Sequence, residues 1–143
     1  GKLKFVKLLE KNTTLQEAVK VFHHTDADPE DLILAGQLFL AALYSPKAND
    51  TSLDKIRYEM FSKSLAKLTF NLASLPPTNA AAAQHILRVY HQIQVWYDRP
   101  MDPLNWGWRM TEHGLLPTIN TKDPAPTEIL NIVSCKCTKG CTF

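Results

Sequence analysis

Apolar residues recur at helical spacing from Leu3 to Trp96, and polar caps divide this stretch into five predicted helices. Leu3, Val6 (or Phe5) and Leu9 share one side of a short amphipathic helix over residues 3–10. Thr14 followed by Glu17 forms a capping box and predicts a second helix, with Leu15, Val19 and Phe22 on its inner side and an end near His23–Thr25. The third has the clearest start: Asp28 can cap, Pro29 suits the first helical position, and Glu30 and Asp31 favour the positive end of the dipole. From Leu32 to Tyr44 this segment is apolar on nearly every face, which predicts a central helix ending before Ser45-Pro46. A fourth helix from about Ser52 turns Leu53, Ile56, Met60, Phe61, Ser64 and Leu65 inward, and the chain breaks between Asn71 and Pro77. Thr78 caps a fifth over Asn79–Tyr97, with Ile86, Val89, Ile93 and Trp96 as one apolar stripe.

The fold class predicted is all-α: a five-helix bundle over residues 1–98. Residues 99–133 change character. Pro100, Pro103, Pro117, Pro124 and Pro126 interrupt any helix, and Trp106-Gly107-Trp108 sits among them. An irregular segment pinned to the bundle by its aromatics is expected, with a short hairpin around Trp108–Leu115 and a last short helix over Thr127–Val133. Residues 134–143 are expected to open a Cys-rich metal-binding module that this sequence truncates.

Composition narrows the functional classes. With 45% apolar and 21% charged residues, a 143-residue chain can build an ordinary globular core. A net charge of +2 is too small to imply a polyanionic partner for the bundle, and the lysines at positions 2, 4, 7 and 11 read first as a solvated helix face. The longest apolar run falls short of the ~20 residues of a membrane span, and no secretory signal opens the chain, so no membrane association is expected. Gly1 in place of an initiator Met reads as a processed chain, an engineered one or a piece of a larger one.

All three cysteines lie close together, at Cys135, Cys137 and Cys141. Their odd number and tight spacing disfavour disulfides and point to a reducing, intracellular setting. Thiolates so spaced, among lysines that lower their pKa and with Gly140 to let the backbone turn, suit zinc. Three thiolates do not close a structural site, so a fourth ligand must come from His113, a partner chain or residues after Phe143. Free thiols at a frayed terminus are the competing reading.

Other features carry less chemistry. Asp26, Asp28, Glu30 and Asp31 are explained by helix capping before a divalent metal is needed. His85 and His91, six apart, fall on different helix faces, and His23-His24 and Glu112-His113 lack the partners that hydrolytic sites require. No nucleophile elbow, phosphate loop or dinucleotide fingerprint is present, so no catalytic activity and no small-molecule substrate are expected. Trp106 and Trp108 either line a groove for a protein partner or plug the core.

Leu75-Pro76-Pro77-Thr78, Gln84-His85 with Arg88 and Tyr90-His91-Gln92, Trp96, Trp106-Gly107-Trp108, Ala125-Pro126 and the final Cys-x-Cys-x3-Cys follow one another in an order that resembles a known group. The chain is similar to the C-terminal region of uncharacterised, often multicopy, mobile-element-derived proteins of invertebrates and fish. In that group a PIN-like or flap-endonuclease-like core lies upstream, and a tesmin-like Cys-rich (CXC) array that binds zinc, and in relatives DNA, lies downstream. The resemblance implies that Cys135, Cys137 and Cys141 are the first zinc ligands of the intact protein and that nucleic acid is the partner of the tail. It also implies a nuclear location, with any nuclease aspartates outside these residues. The expected function is a non-catalytic helical accessory domain between the two. The alternatives are a protein-interaction module using the Pro/Trp segment, or part of a nuclease with its active site upstream.

Overall fold

The fold is mainly helical. A computed structural model describes residues 2–46, 51–65 and 71–122, and within them five α-helices precede one two-stranded hairpin. The helices are α1 (Lys2–Lys11), α2 (Thr13–Ala18), α3 (Pro29–Tyr44), α4 (Leu53–Leu65) and α5 (Asn79–Trp96). A 3₁₀ turn, Val19–His23, continues α2, and the strands are β1 (Trp108–Thr111) and β2 (Gly114–Pro117). The hairpin falls where the sequence predicts one and amends the all-α class. The short helix expected over Thr127–Val133 lies outside the described residues.

Local chemistry sets most boundaries. Asp28 Oδ1 accepts from the Glu30 amide at 2.7 Å with Pro29 opening α3, and Thr78 Oγ1 accepts from the Ala81 amide to open α5. The predicted Thr14–Glu17 capping box does not form. Asn12, extended at φ −128°, caps instead through Oδ1 to the Leu15 amide, so α2 starts earlier and Glu17 pairs with Lys20. Gln16 Nε2 then donates to the Leu9 and Glu10 carbonyls, closing the end of α1. The N-termini of α4 and α5 cap each other: Asn79 Oδ1 accepts from the Leu53 amide, and the Asn79 amide donates to Asp54 Oδ1.

The core is centred on α3 against α5. Leu32, Ala35, Phe39 and Ala41 of α3 are buried with Ala82, Ile86, Leu87 and Tyr90 of α5, joined by Leu15, Phe22, Leu53 and Ile56. The expectation of a central third helix thus holds, although Leu34 is solvent-facing. Three predicted inward faces need correction. Leu65 at the end of α4 is exposed. Leu3 of α1 faces solvent, and of the alternatives Val6 and Phe5, each a little under half exposed, it is Phe5 whose ring lies 4.5 Å from that of Phe39. Along α5, Trp96 is 75% exposed and Val89 lies at the surface, while Tyr90 and Gln94 are fully buried.

The helices approach closely because α3 carries Gly36 at the crossing. A Cβ there would meet three side-chain atoms of Ile86 at 2.5–2.9 Å, and a β-branched side chain packed in the core has no free end to swing away. Gly36→Ala is expected to destabilise by about 1–2 kcal/mol: overpacking costs about 1–3 kcal/mol, and the gain in helix propensity returns up to about 1. Urea unfolding of Gly36→Ala with and without Ile86→Val checks this, the double variant recovering part of the loss.

Candidate functional site

Helix α5 works on two sides. One side enters the core; the other carries Gln84, Arg88 and His91, against which the Pro/Trp segment folds back. Arg88 is the centre of that contact. Its Nη1 donates to the Gly107 carbonyl at 3.0 Å and to the Thr118 carbonyl at 2.6 Å, and its guanidinium lies 5.9 Å from the Trp108 ring centroid. The Thr118 amide in turn donates to the Gly107 carbonyl at 2.9 Å. One cation therefore holds the chain where it enters and where it leaves the hairpin. Burial pulls the guanidinium below its ordinary value, and it remains charged at any physiological pH.

The aromatics occupy fixed places in this contact. Trp106 lies on Tyr90, ring centroids 4.7 Å apart, and His91 Nε2 meets the Met101 carbonyl at 3.3 Å. Trp108 is half-buried, and its Nε1 is buried without an acceptor among the described residues, so the ring serves packing rather than hydrogen bonding. Between them Gly107 is buried at φ +77° directly over α5. The sequence-predicted pair Trp106 and Trp108 is thus brought to one place and engaged with the chain's own residues.

A second polar cluster fastens the end of α5 to the 3₁₀ turn. Gln94 Nε2 donates to the Phe22 carbonyl at 2.9 Å, and Tyr90 Oη donates to the His24 carbonyl at 2.7 Å. Arg99 Nη1 reaches both the His23 carbonyl and Gln94 Oε1. Burial raises the Tyr90 phenol pKa, which keeps the hydroxyl a donor. Gln94 is fully buried with its amide used on both sides, which is what a polar group in a core requires.

His85 stands on α5 one turn before Arg88. Burial first, and then the Arg88 charge, push its pKa below the usual histidine value. The unfolded chain therefore binds this proton more readily than the folded one. Stability from His85 is fully present above about pH 6.5 and declines as pH falls toward the lower folded value. Thermal melts between pH 5 and 7.5 are expected to show a decline on the acid side that His85→Gln reduces.

The remaining predicted residues separate. His113 is exposed at the hairpin tip, 3.4 Å from Glu112, and Asp28 is used in capping. Among the described residues no three His, Cys, Asp or Glu side chains gather as a metal-ligand group. Cys135, Cys137 and Cys141 lie outside the described residues. No described helix is long and apolar enough to cross a membrane. Arg88, Gly107 and Gln94 were not singled out as site residues by sequence. The one available signal was a glycine between two tryptophans, a pattern that marks close backbone approach. Comparison with protein families, curated proteins and solved structures finds no match to this chain.

Proposed function

We propose that this chain is a non-catalytic helical scaffold that presents the Cys135-x-Cys137-x3-Cys141 tail, with zinc bound there in the intact protein, to nucleic acid in the nucleus. The observation that supports this reading is the Arg88 clasp: by holding the Gly107 and Thr118 carbonyls together it fixes the point from which the chain continues toward the cysteines. A tail that leaves a rigid body at a set point contacts its partner with less ordering cost than one on a loose tether. In this reading the chemistry of recognition belongs to the tail, and the bundle supplies position.

The test uses the intact protein. Cobalt is expected to give a thiolate charge-transfer band that zinc abolishes, with metal-dependent retention on DNA. Absence of the band overturns the zinc assignment. Arg88→Gln, which loosens the clasp without touching a cysteine, is expected to keep the band and weaken DNA binding; unchanged DNA binding would overturn the scaffold assignment. An interaction module built on Trp106 and Trp108 is less well supported, because Trp106 already rests on Tyr90 and Trp108 lies beside Arg88.

A further inference from the structure

Between α1, the 3₁₀ turn, α3 and α5 runs an apolar slot of about 400 Å³, within the range of about 300–1,000 Å³ usual for small-molecule sites. Phe39 and Leu40 of α3 form one wall, Ile86 and Ile93 of α5 the other, and Phe5 of α1 closes it above. At Phe5 and Leu43 the slot meets a second hollow of about 840 Å³, where Lys4, Tyr44 and Ser74 bring polar groups beside Met60. The Lys4 ammonium donates to the Leu43 carbonyl and so sits at the junction of the two. Among the described residues no carboxylate lines either space, and Lys4 is the one lining group with a permanent positive charge.

An apolar slot that ends at a lone cation is complementary to an apolar chain that ends in a single anion. The geometry points to a site for a long unbranched carboxylic acid, its hydrocarbon chain in the slot and its carboxylate beside Lys4. A partner helix, about 10–12 Å across with its side chains, does not enter beneath Phe5 while that ring lies 4.5 Å from Phe39. A polymethylene chain is narrower, suits a slot of this volume, and meets few polar groups there, His23 and His85 being the polar side chains of the lining. The site is independent of the tail and of the scaffold role.

Titration of the full chain with decanoate, dodecanoate, tetradecanoate and hexadecanoate, followed by calorimetry and tryptophan fluorescence, tests the site. One-to-one saturable binding is expected, tightening about three- to fourfold per added methylene until the slot is full. Lys4→Gln, a change at an exposed position, is expected to weaken the acids about two- to fivefold and leave hexadecanol unchanged. Val89→Trp at the slot's rim is expected to weaken acids and alcohol alike, with circular dichroism unchanged. Absence of saturable binding, or affinity indifferent to chain length and to Lys4→Gln, overturns the assignment. Flotation with phosphatidylglycerol vesicles that hexadecanoate does not compete also overturns it, in favour of a lipid surface acting on α1.

Discussion

Tyr90→Ala is expected to lower the unfolding free energy by about 3–5 kcal/mol. Tyr90 is fully buried, at the point where α3, α5, the 3₁₀ turn and the Pro/Trp segment converge. Truncation removes the ring against which Trp106 lies, opens a cavity between elements that cannot all collapse into it, and deletes the 2.7 Å bond to the His24 carbonyl. Tyr90→Phe separates these effects. It keeps the ring and is expected to cost only about 1 kcal/mol, because Gln94 Nε2 still reaches the His24 carbonyl at 3.3 Å. Urea unfolding followed by circular dichroism checks both. A loss below about 1.5 kcal/mol for the alanine variant would mean that the core is not organised around this residue. Since single domains hold about 5–15 kcal/mol in all, the expected value leaves a chain near the edge of folding.

Tyr90 also shows why helical spacing alone misplaces the inner face of α5. Helical spacing fixes the pitch of an apolar stripe but sets its phase only through which residues are apolar, and neighbouring positions differ by about 100° around the axis. Ile86, Val89, Ile93 and Trp96 form the greasier stripe. The fold instead turns Ile86, Tyr90 and Gln94 inward, because the phenol and amide find the otherwise unpaired carbonyls of Phe22 and His24. A partner supplied from residues so far back in the chain leaves no local mark. The starts of α3 and α5 were readable for the opposite reason: Asp28-Pro29 and Thr78 satisfy backbone groups two or three residues away.

The same division runs through the candidate site. Two tryptophans flanking a glycine announce a close approach, yet nothing local selects Arg88 among the basic residues as the group that receives them. The apolar slot is less visible still, since its walls come from four elements and each contributes residues that look like ordinary core. Leu3 and Val6 illustrate the converse. They read as an inner face in isolation, yet Leu3 is 77% and Val6 46% exposed, while Phe5 lies against Phe39 and Leu9 lines the slot between the helices.

Gly107→Ala is expected to cost about 3–4 kcal/mol locally and to release the hairpin from α5 while the bundle stays folded. Two costs combine. At φ +77° a Cβ introduces left-handed strain of about 1–2 kcal/mol. The new Cβ would also stand 2.5 Å from the Gln84 carbonyl oxygen, an atom of helix backbone that cannot move aside without breaking α5. Undocking is the cheaper escape, because the hairpin is held to α5 chiefly by Arg88 and by Trp106 on Tyr90 rather than by a deep core. Gly114→Ala supplies the control: its φ is +99°, but nothing lies within 4 Å of the added Cβ, so only the strain applies. Hydrogen exchange distinguishes them. In Gly107→Ala the Thr118 amide is expected to lose protection while amides of α3 and the first turns of α5 keep theirs; in Gly114→Ala the Thr118 amide stays protected. If the two variants behave alike, close packing at Gly107 is not what seats the hairpin. If Gly107→Ala instead unfolds the whole chain, the Pro/Trp segment is part of the core rather than a clasped appendage, and the fixed exit toward the cysteines would rest on the bundle as a whole instead of on Arg88.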